Sequence, residues 1–218
     1  MSKPLVVIVG AGSGVSAAVA RKFGDNGFRI GLVARRESSL EEQSSALKEQ
    51  GVEAFGVTGD AGNPASIAEA FRVIRAHHGE PDVLVYNAAV ISSGQPSELE
   101  EERLIEEFKV NVVGALSSVR QVAPGFVDRK EGTILITGGG FGIYPNAAYS
   151  ALSIGKAGVR SFAYSLAEEL KPHGVYVGTV TIGGYVAKDT FYDPDVIAEK
   201  YWQLYQNRDE VEIVFSQP

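Results

Sequence analysis

The chain has 218 residues, 44% of them hydrophobic and 22% charged, with a net charge of −7 and no cysteine. That length and balance fit one globular domain, residues 1–218, with room for a large core. The acidic pI near 5.1 argues against a nucleic-acid or membrane partner. Missing thiols exclude disulfides and cysteine catalysis and suit a cytoplasmic location. The apolar run Leu5–Val9 is too short for a signal peptide or a membrane span. His77, His78 and His173 sit where helices should end, a place where a cation complements the dipole, so no metal site is expected.

In chain order, Leu5–Val9 reads as a buried parallel strand, Gly10 to Gly14 as a tight turn and Val15–Phe23 as a helix. Phe28–Ala34 predicts a second strand that exits on Arg35 and Arg36. Ser38 and Ser39 each precede a glutamate by three positions, a capping box opening a polar helix to about Gln50. Val52–Val57 is a third strand, ending near Asp60 and Ala61, and Asn63-Pro64 starts a helix to His78. Val83–Tyr86 is a fourth strand, followed by Asn87-Ala88-Ala89. Ser97-x-x-Glu100 should cap a long helix that runs through Asn111 and stops around Pro124. Thr133–Thr137 is a fifth strand, Ala147–Leu170 a helix, and Val175–Ile182 a sixth strand followed by Gly183 and Val186. A helix from Asp193 or Pro194 to Gln206 and a strand over Val211–Phe215 complete the pattern.

Strands alternating with helices imply a doubly wound, Rossmann-type α/β fold: a seven-stranded parallel sheet covered on both faces. Ligands of such sheets bind at the carboxyl ends of the strands, where the strand order reverses. The turn Gly10-Ala11-Gly12-Ser13-Gly14-Val15-Ser16 lies there. Free N–H groups and the helix dipole make it an anion site, open to phosphate because side chains are missing. Its spacing, Gly-x-x-x-Gly-x-Ser, matches neither Gly-x-Gly-x-x-Gly nor a phosphate loop ending in Gly-Lys-Ser/Thr. The alternative is a turn that only connects two packed elements.

With these pieces in order, the chain resembles the short-chain dehydrogenase/reductase family over nearly its full length. The match rests on Gly10-x-x-x-Gly14, Asp60, Asn87-Ala88-Ala89, Asn111, Lys156-Ala157-Gly158-Val159 and Gly183-Gly184-Tyr185-Val186. The resemblance implies a nicotinamide dinucleotide across the strand ends. Gly10 and Gly14 would approach its phosphates, Asp60 the adenine, Asn87 the adenosine ribose side and Lys156 a ribose. Gly12, Ser13, Val15, Ala61, Ala88, Ala89, Ile182, Gly183 and Val186 would complete the cofactor site. Ser16 stands where the family has its third glycine. Arg35 and Arg36 favour NADP(H) over NAD, since a guanidinium suits a 2′-phosphate and an acidic residue suits a 2′-hydroxyl; two solvated arginines at a turn are the alternative.

The family's usual catalytic set is a serine, a tyrosine thirteen residues later and a lysine four beyond that. Alignment on Gly132-Thr133-Ile134 and on Lys156-Ala157 places Gly139 at the serine and Leu152 at the tyrosine. Asn111 and Lys156 remain, with Tyr149 as the nearest phenol. Tyr149 precedes Lys156 by seven residues, roughly 10 Å along a helix, so a structural role competes with a catalytic one. Arg160 could extend Lys156 into a solvated stripe. The interval normally holding a substrate lid is shortened to about residues 184–193. Three accounts follow: an NADP(H)-dependent oxidoreductase with an altered proton relay acting on a small carbonyl or alcohol; a catalytically silent dinucleotide sensor or interaction protein; or a lyase or isomerase on the same fold. The resemblance also implies a homodimer or homotetramer through the helices carrying Asn111 and Lys156. Consistent with that pairing, 112–116 and 162–166 carry no charge.

Overall fold

The computed structural model describes residues 3–217. Seven parallel strands, β1 (Leu5–Val9), β2 (Arg29–Ala34), β3 (Ala54–Thr58), β4 (Val83–Tyr86), β5 (Gly132–Gly139), β6 (Val175–Ile182) and β7 (Glu212–Phe215), form one sheet in the order β3-β2-β1-β4-β5-β6-β7. β1 is buried at every position, as expected of a central strand with both faces covered. Helices α1 (Val15–Asp25), α2 (Glu37–Glu49) and α7 (Pro194–Asn207) pack on one face and build a core on Phe23, Leu32, Leu40 and Tyr201. Helices α3 (Pro64–His78), α5 (Gly114–Arg129) and α6 (Ser150–Leu170) cover the other, around Phe71, Phe126 and Leu166.

The order reverses between β1 and β4, and the register there sets the site. Val9 pairs with Val33 on one side and with Tyr86 on the other, and Tyr86 pairs with Ile136. Gly10, Ala34, Asn87 and Thr137 therefore lie at one level, Gly10 and Asn87 just past their strands and Ala34 and Thr137 still in theirs.

Several helix boundaries differ from the sequence pattern. The capping box before α2 does not form: the helix starts at Glu37 with Arg36 as an N-cap that makes no side-chain bond. Ser39 is already inside the helix and accepts from the Gln43 amide at 3.0 Å. The expected long helix is three segments, α4 (Glu101–Phe108), a π-helical turn (Lys109–Val113) and α5. Glu100, not Ser97, is its N-cap. A π turn adds a residue and leaves backbone carbonyls in need of donors; the buried Tyr86 hydroxyl donates to Val110 O. Burial raises the pKa of that phenol, with the Asp60 charge acting in the same sense. Pro124 does not stop α5, because it lies on the exposed face while Val122 and Phe126 anchor the buried one. The Arg75 guanidinium donates to Gln121 O at 3.1 Å, beside the Arg120 carbonyl that Pro124 cannot pair. Asn63 does cap α3, accepting from the Ala65 and Ser66 N–H groups.

Arg160 is not part of a solvated stripe. Its guanidinium grips Glu212 on β7 with bonds of 2.9, 3.0 and 2.6 Å. The Glu212 side chain is 4% exposed and also accepts from Thr181 at 2.6 Å and Tyr164 at 2.9 Å. Burial pushes this carboxyl up, but the hydrogen bonds from Arg160, Thr181 and Tyr164 outweigh it and hold the pKa below the usual carboxylate value. The clamp is therefore fully present above the unfolded carboxylate pKa and is lost as pH falls through the folded one. Glu212→Gln should lower the unfolding free energy by about 1–3 kcal/mol at neutral pH and flatten the acid limb of the stability profile. Urea midpoints across pH measure both; unchanged midpoints would show that the clamp contributes nothing.

Candidate functional site

The site starts at the glycine turn after β1. Gly10 has φ +88°, and a β-carbon there would lie 2.3 Å from the Ala88 nitrogen, so only glycine lets the exits of β1 and β4 touch. The turn is held down by Gly10 and Ala11 N–H groups donating to Val33 O at 2.9 and 3.1 Å. Ser16 is buried; its hydroxyl donates to Gly12 O at 3.0 Å and accepts from Gly12 N at 2.8 Å. Beyond it the N-terminus of α1 has no side-chain cap and no acidic residue in its first turn. A β-carbon on Gly14 would meet nothing within 4 Å. An uncapped helix start in open space is an anion site in physical terms.

From there a polar chain runs across the strand ends. Asn87 donates to Gly10 O at 3.1 Å and accepts from the Thr137 hydroxyl at 2.9 Å. That hydroxyl has one proton, so the Tyr201 phenol 2.6 Å away must be its donor. Tyr201, on α7, is fully buried, and burial raises its pKa against the opposing bond to Thr137. The Thr137 carbonyl accepts from Lys156 Nζ at 2.9 Å. Lys156 is half-buried as a residue, but its ammonium lies in the interior, and burial pushes its pKa down to about 8. An ammonium has three protons, and Thr137 O is its partner among the described residues. Gly139 lies against this side chain: a β-carbon there would sit 3.2 Å from the Lys156 stem.

The remaining sequence candidates divide. Asn111 is buried in the π turn, its Oδ1 accepting from Val90 N at 2.7 Å and its Nδ2 donating to Val90 O at 3.4 Å. It thus pins the loop after β4. Asp60 shapes its own turn, accepting from Gly62 N at 2.9 Å, and half-buried Val186 packs on the core under α7. Gly183 N donates to Phe215 O at 2.8 Å, and a β-carbon there would meet Ser216 at 2.8 Å. Arg35 and Arg36 are exposed and form none of the ion pairs found among the described residues. α6 begins at Ser150, not Ala147, so Tyr149 is its N-cap and lies outside the helix. Its ring stacks on Phe141 at 5.5 Å. Leu152 is buried one turn before Lys156. Residues 183–193, between β6 and α7, contain no helix.

The short chain dehydrogenase family pattern matches residues 4–191. The chain belongs to that family. It is 34% identical over 184 residues to a putative ketoacyl reductase of Streptomyces coelicolor, covering 82% of this chain and 69% of the relative. A 2,3-dihydro-2,3-dihydroxybenzoate dehydrogenase of Bacillus subtilis is 30% identical over 179 residues, covering 82% of this chain and 69% of that protein. A metagenomic short-chain oxidoreductase solved in complex with NADP superposes with TM-score 0.89 at 31% identity, covering 98% of this chain and 97% of that one. Tyr201 and Glu212 lie beyond the matched stretch, and sequence reasoning passed over both. A signal for Tyr201 existed: Ile197, Ala198, Tyr201 and Leu204 form one helical stripe, and a hydroxyl on a core stripe needs a partner.

Lys156 makes the site measurable through pH. An unfolded lysine titrates near 10.5 and this one at about 8, so between those values the unfolded chain binds more protons. The cost of burying the ammonium is fully felt below pH 8 and relieved as pH rises toward 10.5. Stability of the protein relative to Lys156→Met should therefore rise over that window, by about 3 kcal/mol at most at roughly 1.4 kcal/mol per pH unit. Parallel denaturation profiles for the two proteins would contradict a desolvated ammonium.

Proposed function

We propose that this chain is an NADP(H)-dependent oxidoreductase acting on a small carbonyl or alcohol compound, with a proton relay that lacks the family's serine and tyrosine. The observation that carries it is the Lys156 ammonium, buried at the strand ends with Thr137 O as its one partner among the described residues. The residues fit a nicotinamide dinucleotide: open space at Gly14 and an uncapped α1 for phosphate, spare ammonium protons for ribose hydroxyls, and two exposed guanidinia with no ion pair among the described residues for a 2′-phosphate. The metagenomic relative is solved with NADP, and an actinorhodin polyketide ketoreductase, 26% identical with TM-score 0.88, with NADPH.

In this reading the turn from Gly10 through Gly12, Ser13 and Gly14 to Val15 holds the phosphates, and Asp60 and Ala61 border the adenine. Asn87, Ala88 and Ala89 line the ribose side, and Ile182, Gly183 and Val186 the nicotinamide end. Bound there, the nicotinamide would exchange hydride with the substrate carbon. Lys156 Nζ orients a ribose hydroxyl and, with Leu152 in place of a phenol one turn before it, holds the water that protonates the substrate oxygen. Asn111 acts through the Val90 backbone, keeping the loop after β4 in place. Tyr149, freed from the helix and stacked on Phe141, is the competing donor. The same open strand ends also fit a binding protein without turnover, a reading favoured by the helix-free segment 183–193.

The chain also pairs with a second copy in this proposal. Ile105, Leu116 and Ile154 stay exposed on α4, α5 and α6, although Ala115 and Ala163 face the core. Light scattering should give at least a dimer mass.

Two measurements test the assignment. NADPH should bind more tightly than NADH, and replacing Arg35 and Arg36 by alanine should remove most of that preference, at about 1.5–3 kcal/mol per charge-assisted bond. Equal calorimetric affinities in the unmodified protein would rule the preference out. The natural protein should reduce generic aldehydes and diketones slowly, since general acid catalysis contributes about 10²- to 10⁴-fold. Leu152→Tyr with Gly139→Ser should raise that rate, because φ at Gly139 is −162°, open to any residue, and the lysine stem is flexible. Lys156→Ala should cancel the gain. Brisk natural turnover that disappears in Tyr149→Phe would instead assign the proton to Tyr149.

A further inference from the structure

The substrate half of this site has a chemical signature of its own. Three loops surround the Lys156 end of the sheet, 87–97 after β4, 138–149 spanning the end of β5 and the entry to α6, and 182–187 at the end of β6; none contains an Asp, Glu, Lys, Arg or His. They form one continuous rim. Gly94 bridges to Tyr149, donating to Ala148 O at 2.8 Å and accepting from Ser150 N at 3.2 Å. Gly140 accepts from Tyr144 N at 2.8 Å, and a β-carbon on Gly140 would lie 3.1 Å from Gly183 Cα. On this rim Ile91, Tyr144 and Tyr185 are 74%, 79% and 88% exposed.

Several polar groups in and beside these loops are already paired. Ser92 donates to Glu107, Ser150 to Gly94 O at 2.8 Å and Ser153 to Tyr149 O at 2.9 Å, while Asn146 Oδ1 accepts from Ala148 N at 2.9 Å. The flank beyond the first loop is acidic, with Glu98, Glu100, Glu101 and Glu102, and the neighbouring Arg103 is paired to Glu107 at 3.0 Å. Lys188, past the third loop, is followed by Asp189. The loops themselves carry no cation to pair with a carboxylate or phosphate. They offer aromatic faces, which attract flat apolar ligands by stacking.

We propose that the substrate is an uncharged aromatic or polycyclic ketone or alcohol, and not a carboxylate or an acyl group on a phosphate-bearing carrier. This rests on the oxidoreductase reading above, but the rim is built by this chain alone and is tested separately from turnover. NADPH loading is first followed by nicotinamide fluorescence, and failure there counts against the cofactor assignment alone. Calorimetry then compares 2-acetylnaphthalene with 6-acetyl-2-naphthoate, in loaded and in cofactor-free protein. The neutral ketone should bind at least tenfold more tightly in either form. Tyr144→Ala and Tyr185→Ala should each weaken it about two- to tenfold, with NADPH affinity unchanged in Tyr144→Ala. Equal or tighter binding of the naphthoate, no binding of either probe, or tyrosine variants that lower the assembly mass without touching ketone affinity would each overturn the proposal.

Discussion

Thr137 joins both halves of the carboxyl edge of the sheet. Its carbonyl receives the Lys156 ammonium from α6, while its hydroxyl bonds Asn87 and Tyr201 and so reaches β4 and α7. Hydrogen bonds in a poorly solvated interior polarise one another, and a member left unpaired is costly. Removing any one partner would therefore loosen the others. The sheet makes this possible by register, since Asn87, just past β4, and Thr137, on β5, lie at one level.

A second constraint is the absence of side chains. Gly10 lets β1 and β4 exits touch, Gly139 leaves room for the lysine stem, and Gly155 packs 2.8 Å from where Asn111 Cβ lies, measured from its own would-be β-carbon. These close approaches fix where Lys156 and Asn111 sit. The π turn at 109–113 serves the same end, rotating Asn111 onto the Val90 backbone, with Tyr86 supplying a donor for the carbonyl it leaves.

The far edge is organised differently. β7 is short, half-exposed and outside the family match, and an edge strand of that kind is weakly specified by hydrophobic pattern alone. The buried Glu212, gripped by Arg160, Thr181 and Tyr164, fixes its register against β6. Because α6 carries both Arg160 and Lys156, that edge clamp also steadies the helix presenting the lysine.

By itself the sequence determined the strands, their parallel pairing and the glycine turn, because hydrophobic period and turn glycines are local properties. It also pointed to Lys156 and Asn111 as candidates, through a resemblance carried by short motifs in a fixed order along the strands. What only the tertiary structure decided was where separate elements meet. The Tyr201 hydroxyl, the Glu212 clamp, the π turn and the release of Tyr149 from α6 all depend on contacts between residues far apart in the chain. Helix starts misread from Ser39, Ser97 and Ala147 have the same cause: a capping pattern is a weak local preference, overruled by the packing and side-chain bonds of the folded protein.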